Sequence, residues 1–306
     1  MGKFGKKNEI NLNPLSYNIG LLGQSGVGKS TLMKEVCEKL AGENGYIALD
    51  IGKEDGHDAI NGIVTEKVED WQKFKEICDD IIENKTADYK NLKIIIIDTY
   101  DEFCNIAEKE VVRQWNRKNP EKKVETINAV LGGFGRGLDK VIETMLEPLW
   151  ELKKVGVAFA VIGHTKQKDV EDVKSEEKYS LLTANVSQKY FNAIKTKLHF
   201  CGLAYIDRDI VQRETSKKDN KGKTIVKGKV AGESRVINFR DDTYSVDSKS
   251  RFAEITPQIP MDADAFIKAM EDAIKSEQAK SGKSLADAKK KQKKDEDKKA
   301  KVAAKY

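Results

Sequence analysis

The chain has 306 residues, of which 39% are apolar and 34% are charged, and its mean hydropathy is −0.59. No apolar run reaches the ~20 residues that a membrane-spanning helix needs, and no early apolar stretch has the form of a signal peptide, so we expect a cytoplasmic protein. The net charge of +5 is unevenly distributed, because residues 276–306 hold 11 Lys against 5 Asp or Glu and the rest of the chain is near neutral.

Strands and helices alternate along most of the chain. Short apolar runs predict strands at 17–22, 46–51, 93–98, 155–163 and 198–206. Helical spacing of apolar residues predicts helices at 29–40, 68–84, 99 to about 115, 138–154, 186–197 and 262–276. A long polar loop is predicted at 164–185, and alternating runs within 210–250 predict β-hairpins. Together these elements predict an α/β fold with a mainly parallel sheet, C-terminal β-hairpins and a terminal helix.

The cysteines are far apart and form no pair with the spacing of zinc ligands. Three histidines are likewise too few and too scattered for a metal cluster. Buried, reduced thiols are therefore predicted at Cys37, Cys78, Cys104 and Cys201.

The segment GQSGVGKST joins the first predicted strand to the first predicted helix. It is a complete Walker A loop, in which glycines let backbone N–H groups surround phosphate and the helix N-terminus adds positive potential. Lys29 is expected to reach the β- and γ-phosphates of ATP, and the Ser30 hydroxyl to bind Mg²⁺. The predicted nucleotide-binding residues are Gly23, Gln24, Ser25, Gly26, Val27, Gly28, Lys29, Ser30 and Thr31.

Asp98 ends the segment KIIIID, whose four consecutive isoleucines are typical of a parallel strand covered on both faces. An Asp at this place is a Walker B residue, which helps to hold Mg²⁺ through water. We therefore predict that Ser30 and Asp98 form the metal site. The alternative is a buried Asp that only caps a helix.

Six ordered segments resemble those of the phage RecA-like NTP-binding proteins, a group that includes the Sak-type single-strand annealing ATPases. The segments are GQSGVGKST, ALDIGKEDG, IIIIDTYDEF, LGGFGRG, VIGHTKQK and DSKSRF. The resemblance implies a RecA-like P-loop NTPase domain at residues 17–276 that hydrolyses ATP with Mg²⁺. Residues 1–16 are then a flexible basic arm, and 277–306 a Lys-rich tail that is disordered or a frayed helix.

RecA-like ATPases place the catalytic base just after the strand that follows the first helix, which implies Glu54 here. Its role would be to polarise the attacking water. Asp50, Asp101 and Glu102 are the alternatives, and a solvated loop carboxylate without a role also stays open.

His164 follows the predicted strand 155–163. In RecA-like sheets the strand beside the P-loop strand carries a polar sensor at its tip, so His164 is predicted to contact the γ-phosphate or its water. The alternative is a loop histidine without a role.

RecA-like proteins contact DNA through the loop that follows, and the candidates in this loop are Lys166, Lys168, Lys174, Lys178 and Tyr179. Acidic residues in the same loop weaken that prediction.

Lys249 and Arg251 belong to a Lys-x-Arg-Phe segment that is similar to the finger motif of the RadA and DnaB relatives. The resemblance implies that both cations act in trans on the γ-phosphate bound by a neighbouring subunit. The alternative is a pair of solvated cations at the end of a strand.

Two functions from different classes follow. The first is an ATP-driven phage recombination protein that binds single-stranded DNA, forms a homo-oligomer and anneals strands, with a single-strand-binding protein as a further candidate partner. The second is a nucleotide-gated loader or regulator of a phage replication protein, without DNA contact. The Lys-rich tail is either a DNA-affinity segment or a solubilising one. A metabolic kinase is disfavoured because residues 99–154 contain only three arginines.

Overall fold

The structure, a computed structural model, describes residues 9–52, 55–171, 178–218, 224–240 and 248–280. Within these residues one sheet contains ten strands. They are β1 (Ile19–Gly23), β2 (Tyr46–Ile51), β3 (Thr65–Val68), β4 (Ile94–Asp98), β5 (Ala158–Glu171), β6 (Lys178–Ala184), β7 (Phe200–Lys218), β8 (Thr224–Asn238), β9 (Lys249–Ser250) and β10 (Gln258–Pro260). The α-helices are α1 (Lys29–Ala41), α2 (Trp71–Glu83), α3 (Tyr100–Lys118), α4 (Arg136–Lys154), α5 (Gln188–Lys195) and α6 (Ala263–Lys280).

The strand order of the sheet is β10-β8-β7-β1-β5-β4-β2-β3, with β6 paired to β5 and β9 paired to β7. The six strands from β7 to β3 in this order run parallel, whereas β6, β8, β9 and β10 pair antiparallel. This confirms the predicted α/β fold with a mainly parallel sheet, antiparallel C-terminal strands and a terminal helix. The parallel strands β1, β5, β4 and β2 end on one side, which we call the carboxyl edge, and begin on the opposite side, the amino edge.

Two helical layers enclose the sheet. Helices α2 to α5 cover one face, and α1 and α6 cover the other. In β4, Ile95 and Ile97 pack into the first layer and Ile94 and Ile96 into the second, because successive strand residues point to opposite faces. The isoleucine run is thus a strand buried on both faces, as predicted.

The cysteines are buried free thiols in these two layers, as predicted. Burial raises the pKa of the Cys78 thiol to about 12, so the thiol is protonated at neutral pH. None of the helices in the described parts of the chain is both long and apolar enough to cross a membrane.

The predicted polar loop at 164–185 is wrong. Strand β5 continues past Gly163 to Glu171 and returns as β6, with Thr165 paired to Ala184 at the base of this hairpin. Beyond the parallel sheet, polar and charged residues occupy both faces of β5, although β6 still buries Leu181 and Ala184. This part of β5 therefore lacks the apolar alternation by which a half-buried strand is recognised.

The C-terminal part of the domain follows the prediction more closely. The predicted β-hairpins include one long hairpin, formed by β7 and β8, which has bulges after Asp209 and Glu214. Asp262 caps α6 as predicted, because its Oδ1 accepts the N–H of Ala265 at 2.9 Å. Helix α6 then buries Phe266 and Met270 against the layer that contains α1.

Packed structure at the amino edge begins before the first strand. A 3₁₀ turn at Pro14–Ser16 buries Leu15, so the end of the segment predicted to be a loose arm is part of the core. Beside it, His199 Nδ1 accepts the N–H of Asn18 at 3.1 Å. Lys153 Nζ donates to the Ser16 carbonyl at 2.5 Å, and burial lowers the Lys153 pKa to about 8.

The amino edge is electropositive around His199. Burial, followed by the charges of Lys153, Arg251 and Lys249, lowers the His199 pKa to about 4. The imidazole is therefore neutral in the folded protein at a pH where the unfolded chain, with a pKa near 6.5, already binds a proton.

This difference predicts a pH-dependent loss of stability. Between pH 6.5 and 4 the unfolded state binds the extra proton, so the free energy of unfolding falls as the pH falls through this window. The replacement His199→Asn keeps an acceptor for Asn18 and removes the titration. Compared with this variant, the wild-type chain should lose on the order of 1–2 kcal/mol more across the window, after allowance for solvent screening at the half-buried ring.

Urea unfolding at several pH values between 7.5 and 4 measures this difference. Parallel pH profiles for the two proteins would contradict the assignment of a depressed pKa to His199.

Candidate active site

The loop between β1 and α1 has the backbone that a phosphate loop requires. Gly28 caps α1 in the left-handed region with φ +106°, and Gly26 also has a positive φ of +74°. A Cβ on Gly23 would lie 2.5 Å from the Ala204 carbonyl oxygen of the neighbouring strand β7, so only glycine fits there. Gln24 and Ser25 are exposed, whereas Val27 is buried and anchors the loop. The loop thus presents the N-terminus of α1 to solvent, as an anion site does.

The Lys29 ammonium lies across the loop. Its Nζ donates to the carbonyl oxygens of Gly23 at 3.0 Å and Gln24 at 2.9 Å, and the residue is only 6% exposed. The lysine is therefore held against the loop, where phosphate oxygens can replace the two carbonyls as its partners. Thr31, in the first turn of α1, is exposed.

Ser30 and Asp98 are in direct contact. Ser30 Oγ donates to Asp98 Oδ2 at 2.5 Å, which joins the start of α1 to the end of β4. Hydroxyl and carboxylate oxygens are the hard ligands that Mg²⁺ takes, and a second buried carboxylate, Asp50, lies beside this pair. Asp50 Oδ2 is buried without a hydrogen-bond partner among the described residues. This donor set fits a divalent cation.

Burial of Asp50 has an electrostatic consequence. Asp50 on β2 is in register with Asp98 on β4, so the two carboxylates are neighbours. Burial, opposed by His57 and assisted by Asp98, raises the Asp50 pKa. A cation bound here would relieve the cost of placing two carboxylates out of water.

His57 was missed by the sequence analysis. It lies in a short 3₁₀ turn after β2 and is 4% exposed, with Nε2 at 3.0 Å from Asp98 Oδ2 and Nδ1 at 2.7 Å from Thr65 Oγ1. The one signal in the sequence is its position close after the predicted strand 46–51, in the segment where RecA-like ATPases carry their catalytic base. A single polar residue in a polar turn has no periodicity that would mark it as buried.

His164 lies beside the phosphate loop. In the sheet it is in register with Gly23, and its backbone N–H donates to Asp101 Oδ2 at 3.0 Å. Its ring Nδ1 is 3.7 Å from the same oxygen. Although burial opposes ionisation of Asp101, these contacts with His164 lower the Asp101 pKa. Asp101 thus anchors β5 at the point where the strand leaves the parallel sheet, and the sensor role of His164 stays a prediction.

A cavity of about 340 Å³ opens next to His164. Asp101, Glu102, Glu108 and Tyr190 contribute to its polar lining. Of the proposed bases, Asp101 is engaged by His164, whereas Glu102 faces this cavity and Asp50 faces Asp98. Glu54 lies outside the described residues.

Lys249 and Arg251 are remote from the phosphate loop. Strand β9 pairs with the beginning of β7, at the amino edge. Lys249 Nζ donates to the Lys195 carbonyl at 2.7 Å, and Arg251 donates to the carbonyls of Leu198 and Thr196, so both cations cap the end of α5. Burial, Arg251 and Lys195 lower the Lys249 pKa.

These two cations cannot serve the phosphate loop of their own chain. The length of β1 separates the edges, which is roughly 13 Å at the usual rise per strand residue.

The DNA-contact candidates Lys166 and Lys168 are exposed on β5, whereas Lys174 and the side chains of Lys178 and Tyr179 lie outside the described residues.

Arg235 is a second residue that the sequence analysis missed. It lies on β8, and its Nη1 donates to the Val27 carbonyl at 3.2 Å. The guanidinium also lies 3.5 Å from the position of a Cβ on Gly28. Strand β8 thus supports the phosphate loop from the side, a contact that no local sequence pattern indicates.

Residues 16–252 match the AAA domain family, and no curated protein matches the chain. A KaiC-like protein from the hyperthermophilic archaeon Pyrococcus horikoshii OT3 is 13% identical over 80% of this chain and 84% of its own, with a TM-score of 0.39. A prototypical ATPase from the type III secretion system of pathogenic bacteria is 14% identical over 61% of this chain and 51% of its own, with a TM-score of 0.36.

The two structural similarities are too low to indicate a function. The narrower resemblance to phage Sak-type proteins gains no support from these matches. The family match, in contrast, spans most of the chain and includes the phosphate loop, Asp98 and His164. The chain therefore belongs to the AAA domain family of P-loop ATPases, a membership that implies ATP and Mg²⁺ as its ligands.

Proposed function

We propose that this chain is a Mg²⁺-dependent ATPase that acts on single-stranded DNA, in recombination or strand annealing. The observation that carries the ATPase part is the convergence of Lys29, Ser30 and Asp98 at the carboxyl edge, with Ser30 Oγ 2.5 Å from Asp98 Oδ2. No other arrangement among the described residues combines a phosphate loop, a lysine and hard metal ligands.

The chain's own residues divide the work as follows. Backbone N–H groups of the loop bind phosphate, and the Lys29 ammonium exchanges two carbonyls for phosphate oxygens. Ser30 and Asp98 would hold Mg²⁺, which would supply positive charge against the phosphates. Glu54 remains the proposed base on the resemblance alone, with Glu102, at the cavity beside His164, as the described alternative.

A neighbouring copy is proposed to complete the site. Because Lys249 and Arg251 lie at the amino edge, any contact with nucleotide must come from a second chain. Such a head-to-tail interface is heterologous and produces rings or filaments. The cations are half-buried or exposed and contact carbonyl oxygens, and neither forms an ion pair with another described residue, so they can be redirected to phosphate.

Contact with DNA is the least direct part of the proposal. It is supported by the exposed Lys166 and Lys168 on the hairpin that extends from β5 beside His164. Exposed lysines bind nucleic acid through phosphate, without sequence choice. Asp169 on the same hairpin lowers the local positive charge. If DNA has no effect on turnover, the alternative is that the chain is a nucleotide-gated loader or regulator of another protein.

The first prediction concerns turnover. The ATPase rate per chain should rise with protein concentration and rise further with single-stranded DNA, since assembly completes each site. Lys29→Ala should reduce the rate to background under all conditions, because the phosphates lose their fixed cation. A phosphate-release assay over a range of concentrations, with the full chain and one ending at Lys280, the last residue of α6, measures both effects.

A rate that is flat with concentration and indifferent to DNA would contradict the assembly and DNA parts of the proposal. Wild-type turnover by the Lys29→Ala variant would contradict the ATPase part. Loss of DNA stimulation only in the shortened chain would assign DNA contact to the Lys-rich tail.

The second prediction concerns Arg251. Arg251→Ala should lower turnover by about 100-fold or more while ATP binding is retained, as expected for a cation that acts in the transition state. Arg240→Ala is the matched control, because Arg240 also donates to a backbone carbonyl, that of Phe252 at 3.3 Å. Its turnover should stay close to wild type. Thermal unfolding of both variants separates loss of the α5 cap from loss of catalysis.

Mixing the two inactive variants tests the contact in trans. When Lys29→Ala and Arg251→Ala chains are combined in equal amounts, about a quarter of the interfaces pair an intact loop with an intact Arg251. The mixture should therefore regain activity that neither variant has alone. Absence of any gain, with mixed oligomers demonstrated, would contradict the proposal.

A further inference from the structure

We infer that His57 is a positioning residue for the metal-binding carboxylate, fixing the orientation in which Asp98 faces Ser30. This inference rests on the proposed function, since it assigns a role within the same site. Its Nε2 lies 3.0 Å from Asp98 Oδ2, the oxygen that also accepts the Ser30 hydroxyl at 2.5 Å. One carboxylate oxygen thus receives hydrogen bonds from two directions.

The tautomer of the ring follows from its partners. A carboxylate oxygen only accepts, so Nε2 carries a proton, and in the neutral ring Nδ1 accepts the hydroxyl of Thr65 at 2.7 Å. Both nitrogens are therefore engaged, which fixes the plane of the ring as well as its direction.

Burial makes this arrangement rigid. His57 is 4% exposed and Asp98 is 7% exposed, so water competes little for the hydrogen bond between them. Thr65 begins the edge strand β3, which is held to β2 by the pairing of Ala48 with Thr65. The orientation of Asp98 is thereby tied to the backbone of two strands.

Mg²⁺ binding would affect the two hydrogen bonds to Asp98, from Ser30 and from His57, in different ways. Ser30 is itself an expected metal ligand, so its hydroxyl has to serve the cation. His57 is not a ligand in this scheme, and its hydrogen bond to Asp98 can persist with and without metal. Partners of this kind, one shell out from the metal, typically change metal affinity or activity by 10–100-fold when they are removed.

The test compares nucleotide binding with and without metal. A fluorescent ATP analogue is titrated into the full chain in EDTA, and then at a fixed concentration with increasing Mg²⁺. The variants are His57→Leu, which removes both nitrogens, His57→Gln, which restores an N–H donor, and Thr65→Val, which removes the hydroxyl at Nδ1. His199→Asn is the control, since it replaces a half-buried histidine at the amino edge.

For His57→Leu we expect an unchanged affinity for the analogue in EDTA and a Mg²⁺ midpoint raised by about 10–100-fold. His57→Gln should return most of this shift, and Thr65→Val should show a smaller shift of the same sign. His199→Asn should keep the wild-type midpoint. Thermal unfolding identifies any variant that fails to fold, and the Gln and Val replacements keep the test decisive if the Leu variant is unfolded.

Three results would overturn the inference. The first is a wild-type Mg²⁺ midpoint in folded His57 variants. The second is an equal loss of affinity in EDTA and in Mg²⁺, which indicates a structural role alone. The third is a His57→Gln variant as impaired as His57→Leu. If the wild-type chain itself bound the analogue without any effect of Mg²⁺, the proposed function would fail together with the inference.

Discussion

The hydrogen bond between Ser30 and Asp98 is the contact on which the rest of the site depends. It joins the first turn of α1 to the end of β4, although β5 lies between β1 and β4 in the sheet. The contact is possible because β1 and β4 both end at the carboxyl edge and the loop after β1 turns α1 back over it. The two-sided burial of β4 keeps Asp98 at this edge, and the left-handed Gly28 sets the start of α1. The nucleotide site is thus a product of sheet order as much as of the loop itself.

Charge is divided between the two edges of the sheet. At the carboxyl edge, Asp50 and Asp98 are buried side by side, which is costly without a cation and explains the raised Asp50 pKa. At the amino edge, burial and then the charges of Lys153, Arg251 and Lys249 lower the His199 pKa. A single copy keeps these opposite charges apart along the full length of β1. In the head-to-tail assembly that we propose, the cations of one copy approach the phosphates held by the next. The positive amino edge then faces the negative carboxyl edge.

Features with a local cause could be predicted from the sequence. The phosphate loop, the isoleucine strand that ends at Asp98 and the cap at Asp262 each depend on residues close in the chain. The β5–β6 hairpin and β3 could not be predicted, because their exposed polar faces carry no apolar alternation; Thr65 is one such exposed residue. His57 and Arg235 could not be predicted from the sequence for a different reason. Their roles come from contacts between distant segments, His57 with Asp98 and Arg235 with Val27, which only the folded sheet brings together.

The most direct measurement is a crystal structure with Mg²⁺ and a non-hydrolysable ATP analogue. The account predicts phosphates within residues 23–31, the metal on Ser30 Oγ with Asp98 beside it, and Lys29 Nζ moved from the Gly23 and Gln24 carbonyls to phosphate oxygens. A nucleotide bound elsewhere, or a metal away from Ser30 with Lys29 still on both carbonyls, would contradict it.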